Sequence, residues 1–273
     1  MRRALRMTLL HLPLVLGALL TLAPLAWMLM VSVTPVGEGG AAALGHGPRR
    51  LTMAHYRGLF AGLSLGRALF NSAFLAAAVT VIALFLNSMA GYAFAKLRFA
   101  GRERLARMML GALVIPAQVT MLPLFLMLKE LGLVNTYAGV IIPGMASIFG
   151  IFLVRQYALS IPDGILDAAR IDGAGEFRIY WSIVLPACRP ILVTLALFTF
   201  MGTWNDFMWP LIVLMDDDMH TLPVALASLV GEHAQDPELM MAGAVLTVLP
   251  MLMLFVAFQR HYIAGIMTGA LKD

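Results

Sequence analysis

The side chains able to do chemistry are few, and their spacing excludes most reactions. The histidines are His11, His46, His55, His220, His233 and His261. No two are four residues apart, the spacing that sets two imidazoles on one helical face to hold zinc. A phosphate loop needs a lysine directly after a glycine. Lys96, Lys129 and Lys272 follow Ala95, Leu128 and Leu271, so none can be that lysine. The Gly-x-Ser-x-Gly pattern of a nucleophile elbow does not occur. Asp216, Asp217 and Asp218 are adjacent carboxylates, a pattern typical of a solvated loop rather than a metal site. Cys188 is the one cysteine, so no intrachain disulfide forms. No catalytic, cofactor-binding or metal residues are therefore assigned. A process that needs energy must draw it from a separate chain or an ion gradient.

One polar segment has more structure than a linker requires. It runs from Arg155 through Pro162, Asp163, Asp167, Arg170, Asp172 and Gly173 to Glu176 and Pro186. Pro162 should stop the incoming helix. Asp163 can cap a new one over about Gly164 to Asp172, and Gly173 stands where a left-handed residue would end it. A second helical stretch is expected from Glu176 to Pro186. A helix of two turns is unstable alone in water and needs a surface to pack on. That surface could be its own membrane domain, lipid headgroups or a groove on a soluble partner. Asp167 and Arg170, three apart, could simply pair with each other.

The rest of the chain must position this segment, and it belongs in a membrane. Of 273 residues, 61% are hydrophobic and 12% charged, with a mean hydropathy of +0.87. An ordinary soluble domain has about 25% charged residues and could not hide so much apolar surface in one core. Stretches without Asp, Glu, Lys or Arg cover 7–37, 68–95, 108–128, 131–154, 190–205 and 239–259. Each approaches the roughly 20 residues of a crossing, so six transmembrane helices are expected. The pieces 207–215 and 219–231 are too short to cross, and the first could dip back into the membrane. The first stretch is longer than a cleavable signal core, and Ala41–Ala43 lies too far downstream as a cleavage site, so an uncleaved anchor is expected. Pro13, Pro24, Pro116, Pro123, Pro143 and Pro250 fall inside spans, where neighbours can satisfy the freed carbonyls.

Six crossings put both termini on one side, and the basic residues choose it. With the N-terminus inside, Arg2, Arg3, Arg6, Lys96, Arg98, Arg102, Arg104, Arg107, Arg155, Arg170, Arg178, Arg189, Arg260 and Lys272 lie inside, 14 of the 19. Nine of the 15 acidic residues lie outside. This asymmetry is the positive-inside pattern. The net charge of +4 is thus topology, not a nucleic-acid footprint. Polar residues in or beside spans, Asn71, Asn87, Gln118, Asn205 and Asp206, either bond helix to helix or line a pathway. Asn71, Asn205 and Asp206 are the pathway candidates.

Asp167-Ala168-Ala169, Gly173 after three residues, and Ile183-Val-Leu185-Pro186 after nine more resemble the EAA loop of ABC importer membrane subunits. The departure is Asp167 in place of glutamate. Asn71-Ser72, the run from Ala90 to Phe99 through Tyr92 and Lys96, Trp204-Asn205-Asp206, Thr221-Leu-Pro223 and the C-terminal Gly265 to Lys272 are similar to carbohydrate-type permeases related to the maltose transporter's second permease. The resemblance implies an all-α fold of the type I importer permease, with cytoplasmic termini, in a bacterial or archaeal cytoplasmic membrane. It divides the chain into an anchor helix and external loop (1–66), a permease domain (67–262) with the coupling loop at 160–190, and a cytoplasmic tail (263–273). It implies a sugar or related polar solute, a second permease, two ATP-binding cassette ATPases that bind the ATP, and an extracytoplasmic solute-binding protein. It assigns Asp167, Ala168, Ala169, Asp172, Gly173, Ile183 and Pro186 to ATPase coupling. The alternative from the residues is a self-sufficient ion-coupled transporter, which would ordinarily carry charges within its spans; these spans hold charges only near their ends. The external segment, with its glycines at 37–40, is expected to connect.

Overall fold

The computed structural model describes residues 2–38, 50–62, 65–232 and 236–270. Ala41–Ala43, Arg49, His46, His233 and Lys272 lie outside the described residues. Every regular element among those described is helical. The helices are α1 (Arg2–Ser32), α2 (Ala54–Gly62), α3 (Leu65–Lys96), α4 (Arg102–Ala112), α5 (Ala117–Glu130), α6 (Tyr137–Gly144), α7 (Ile148–Ala158), α8 (Asp163–Ile171), α9 (Glu176–Ala187), α10 (Arg189–Trp204), α11 (Met208–Val213), α12 (Leu222–Glu232) and α13 (Pro237–Ala270). Within α9, a π turn at Tyr180–Val184 interrupts the helix.

Four stretches are long and apolar enough to cross a membrane continuously: His11–Ser32, Leu65–Lys96, Tyr137–Ala158 and Pro237–Phe258. Two further helix pairs reach that length only when taken together across a sharp bend. α4 and α5 meet at 105°, and α9 and α10 at 79°. The uncharged run 108–128 is therefore not one straight span. Leu113–Ile115 turn, and Pro116 caps α5 rather than kinking a longer helix. Pro116 has no N–H to lose at that position, which is why a proline is tolerated there. Likewise α9 and α10 do not form one straight helix, because the chain bends at Cys188. Pro13, Pro24, Pro123, Pro143 and Pro250 do lie inside helices.

The chain forms two compact units. One comprises residues 1–66 and 225–250. Here the segment after α1 returns on itself: Thr52 N donates to Val33 O, the His55 ring contacts Thr34 O at 2.7 Å, and Ser32 and Tyr56 hydroxyls share a hydrogen bond. Gly37 N donates to Glu238 Oε1 at 3.1 Å, tying the segment after α1 to the start of α13.

The other unit comprises 67–224 and 251–273 and contains the segment of interest. Its largest described core joins α3, α7, α8, α9 and α10 through Tyr92, Val154, Leu166, Ile179, Val184 and Leu195. α3 and α7 approach closely at Gly91, where an added Cβ would sit 2.8 Å from Val154 Cβ and 2.9 Å from Arg155 N. A side chain there would force two backbones apart. At the break between α6 and α7, Asn87 Oδ1 accepts from Ser147 N, a helix-to-helix bond. A second core joins α3, α5, α6 and α11 around Leu75, Leu128, Val140 and Val213. The piece 207–215 thus contains a short packed helix, α11, with Trp209 Nε1 donating to Gly139 O.

Candidate functional site

The polar segment folds as its breakers dictate, with one change. Pro162 is extended and precedes α8. Asp163 is the first helical residue rather than the cap, and no side chain caps this end. Its carboxylate instead takes a hydrogen bond from Lys96 Nζ at 2.6 Å. At the other end Gly173 has φ of +82°, Gly173 N donates to Arg170 O and Ala174 N to Ala169 O. That bond pair is the Schellman arrangement, in which a left-handed residue satisfies the last carbonyls.

α8 buries one side and exposes the other. Leu166 is 1% exposed, and Ala169 packs beside it on the core that includes Tyr92 and Ala95. Ala168, Asp172 and Gly173 are exposed, as are Ile165 and, at 87%, Ile171. A large aliphatic side chain that far into water costs free energy that a partner surface would recover.

Both ends of α8 are tied to the last turn of α3. Lys96 Nζ donates to Ile161 O at 2.6 Å and to Asp163, with its side chain 6% exposed. One ammonium thus joins the end of α3, the turn after α7 and the start of α8. One helical turn earlier, the Tyr92 hydroxyl donates to Glu176 Oε2. Glu176 accepts from Arg170 Nε at 2.8 Å, and Arg170 Nη1 donates to Asp167 at 2.7 Å. Residues four apart share a helical face, so Tyr92 and Lys96 grip α8 from one face of α3. Lys96 holds the Asp163 carboxyl below its ordinary value, by its hydrogen bond first and its charge second. Glu176 first and Asp167 second raise the Arg170 guanidinium further, so it stays charged at any working pH.

The structure brings Asp167, Ala168, Ala169, Asp172 and Gly173 together on one small helix and its cap. Ile183, on α9, packs partly buried against the same core. Pro186 is exposed and lines an apolar groove with Val81, Leu84 and Trp181, away from the polar cleft beside α8. That cleft, about 940 Å³, is lined by Lys96, Arg98, Arg102, Asp163, Asp167 and Glu176. Lys96, Tyr92 and Glu176 are not among the residues the motif assigns. Their partners lie 67 and 84 residues apart in sequence, and only the position of Lys96 at a span's end hints at them.

The pathway candidates separate. Asn71 is fully buried; its Nδ2 donates to Asp218 O and His220 O, and its Oδ1 accepts from the Tyr137 hydroxyl. With Ser72 Oγ accepting from Leu222 N, it staples the 216–222 loop onto α3. Asn205 is exposed and its Nδ2 donates back to Met201 O at the end of α10. Asp206 is half-buried, accepts from Trp209 N, and lines a cavity of about 240 Å³ with Thr120, Gly144, Thr203 and Trp209. The carboxylate run does not converge. Asp216 bonds Asn135, and Asp217 faces His220 at 3.6 Å. Among the described residues no group of His, Cys, Asp or Glu could hold a metal.

These features define a multi-pass helical membrane protein with a short helix clamped to the end of a long apolar one. Residues 87–267 match the family described as binding-protein-dependent transport system inner membrane component, and the chain belongs to that family. It is 38% identical over 258 residues to the arabinooligosaccharides transport system permease protein of Halalkalibacterium halodurans, covering 93% of this chain and 92% of that one. It is 32% identical over 259 residues to the lactose transport system permease protein of Rhizobium radiobacter, covering 94% and 93%. Its fold matches a chain in the crystal structure of a bacterial ABC transporter that imports the acidic polysaccharide alginate, with a TM-score of 0.80 and 23% identity over 95% and 98% of the two chains. The fold is that of an ABC importer permease, and membership in a binding-protein-dependent family sets the ion-coupled alternative aside.

Proposed function

We propose that this chain forms half of the translocation pathway of an ATP-driven importer for a sugar, oligosaccharide or related polar solute. Each bent pair contributes one crossing, giving six, with both termini in the cytoplasm of a bacterial or archaeal cell. Residues 1–66 anchor the chain, 67–262 form the permease domain, and 263–273 the tail. The partners are a second permease, two ATP-binding cassette ATPases and an extracytoplasmic solute-binding protein. ATP is bound and hydrolysed by the ATPases; this chain needs no cofactor of its own.

α8 is the coupling helix, and the observation that carries this is its two-sided character. One side is seated on the core and clamped to α3; the other offers Ala168, Ile171 and Gly173 to a partner. A push on that exposed side reaches α3 through Lys96 and Glu176 without loss in a flexible joint. The solute class is supported by the relatives' transport of arabinooligosaccharides and lactose. The pathway is assigned to Asp206 and Asn205, with Asn71 holding the outer loop that borders it.

The test is gentle extraction of the tagged chain from its native membrane. The expected result is co-purification of a second multi-span permease and a P-loop ATPase. A homo-oligomer with no ATPase would overturn the reading.

A further inference from the structure

α4 combines two features that coupling does not use. Arg104 and Arg107 share one side of the helix, Met108 lies one turn beyond Arg104 on that side with Leu105 at its flank, and all four are exposed. It turns 105° away from α5, so the two helices cannot both run along the membrane normal. Arginines interleaved with exposed apolar side chains, on a helix set across its neighbour, suit the membrane interface, where long basic side chains reach up to the headgroups while their stems stay in apolar surroundings.

Beside it opens a pocket of about 420 Å³ lined by Arg98, Arg102, Arg104 and Arg107, with Glu103 the one carboxylate among the lining residues. Glu103 is already engaged: Arg102 Nη2 donates to it at 3.1 Å while Nη1 donates to Leu97 O. Arg107 Nε reaches only the Glu103 backbone oxygen, at 3.4 Å. Arg98 and Arg104 make no side-chain hydrogen bond among the described residues. Arg98, whose charge also acts on Asp163, Arg104 and Arg107 thus have no carboxylate within hydrogen-bond reach, and such planar forks match phosphate oxygens in pairs.

We propose that this pocket binds the headgroup of an anionic phospholipid from the cytoplasmic leaflet. The arginines take the phosphodiester, and Leu105 and Met108 lie along the acyl chains. The exposed apolar side chains on the same helix favour a lipid over a free phosphate, which would use the arginines alone. Basic pockets at the cytoplasmic ends of membrane helices suit such headgroups, each cation adding about fivefold in affinity. Three free arginines together give about 100-fold.

The experiment is native mass spectrometry of the delipidated full chain in detergent, titrated with phosphatidylglycerol or phosphatidylcholine of the same acyl chains. Phosphatidylglycerol should be retained about 100-fold more strongly, and less so at high salt. R98Q/R104Q/R107Q should bring it to the phosphatidylcholine level with an unchanged melting temperature. If that variant is unstable, R104Q alone should lose about fivefold. Millimolar inorganic phosphate should leave the lipid bound. Equal retention of the two lipids, or selectivity that survives the arginine changes, overturns the proposal. Displacement by phosphate assigns the pocket to a free anion and overturns it too. So does a triple variant that keeps lipid selectivity and loses the ATPase, which would make the patch a protein contact.

Discussion

Replacing Lys96 by methionine keeps the length of the side chain and removes the ammonium that joins α3 to α8. Two hydrogen bonds of 2.6 Å go with it. The Asp163 carboxylate is mostly exposed and returns to water at little cost. Ile161 is 8% exposed, and its carbonyl loses a charged donor in a sheltered place. Leaving such a group unsatisfied costs about 1–3 kcal/mol. A value of about 2 kcal/mol speeds local opening by roughly 30-fold, at about 1.4 kcal/mol per tenfold. Amide exchange of peptides covering 159–172 in the full chain, followed by mass spectrometry, reads this directly. Exchange should rise by that factor in Lys96→Met, return most of the way in Lys96→Arg, and stay unchanged in α10. Unchanged exchange at 159–172 would refute the clamp. A uniform rise along the chain would do the same, because it would mark Lys96 as a general stabiliser.

Other outcomes follow from the same geometry. The folded value of Asp163 lies below its unfolded value. Its stabilisation is therefore complete above the ordinary aspartate value near about 4 and fades as pH falls through the lower folded value. Protection of 159–172, corrected for intrinsic exchange, should be flat from neutral pH to about 4 and fall below it, while Asp163→Asn shows no such fall. Gly173→Val places a branched side chain at φ of +82°, with no atom within 4 Å of the new Cβ. The cost is conformational, about 1–2 kcal/mol, so ATPase retention on pull-down should drop on the order of tenfold with membrane insertion intact, and Gly173→Asn should recover most of it. Asn71→Ala removes three hydrogen bonds from a buried staple. It should destabilise the chain by about 2–4 kcal/mol, seen as a lower melting temperature in detergent.

Composition alone is enough to read a helical membrane protein, because apolar content of this size has no other home. α8 was legible too: Pro162 and Gly173 bracket it, and the helix ends where a left-handed residue stands. What hydropathy could not show is direction. An uncharged run measures length, so 108–128 looked like a straight crossing although Pro116 and the turn before it break it. The bend at Cys188 carries even less of a mark, since the proline beside it starts a helix as readily as it ends one. Asn71 shows the other limit. A polar residue in a span reads equally as pathway or as tie, and its partners are mainly backbone carbonyls 147 and 149 residues away. Lys96 escaped for the same reason, as part of a positive-inside count that says nothing of which carbonyl an ammonium meets.

The most direct test of the coupling role is a thiol at the exposed face of α8. Cys188, the native cysteine, is buried, and Ala168 is exposed. With Ala168→Cys in native membranes, a short thiol-anchored photo-crosslinker, whose second arm inserts into any nearby C–H or N–H bond, should link this chain to the ATPase subunit, in a yield that changes when ATP is added. No adduct with the ATPase present, or an equal adduct from Asp217→Cys on the loop assigned to the outer side, would contradict the account.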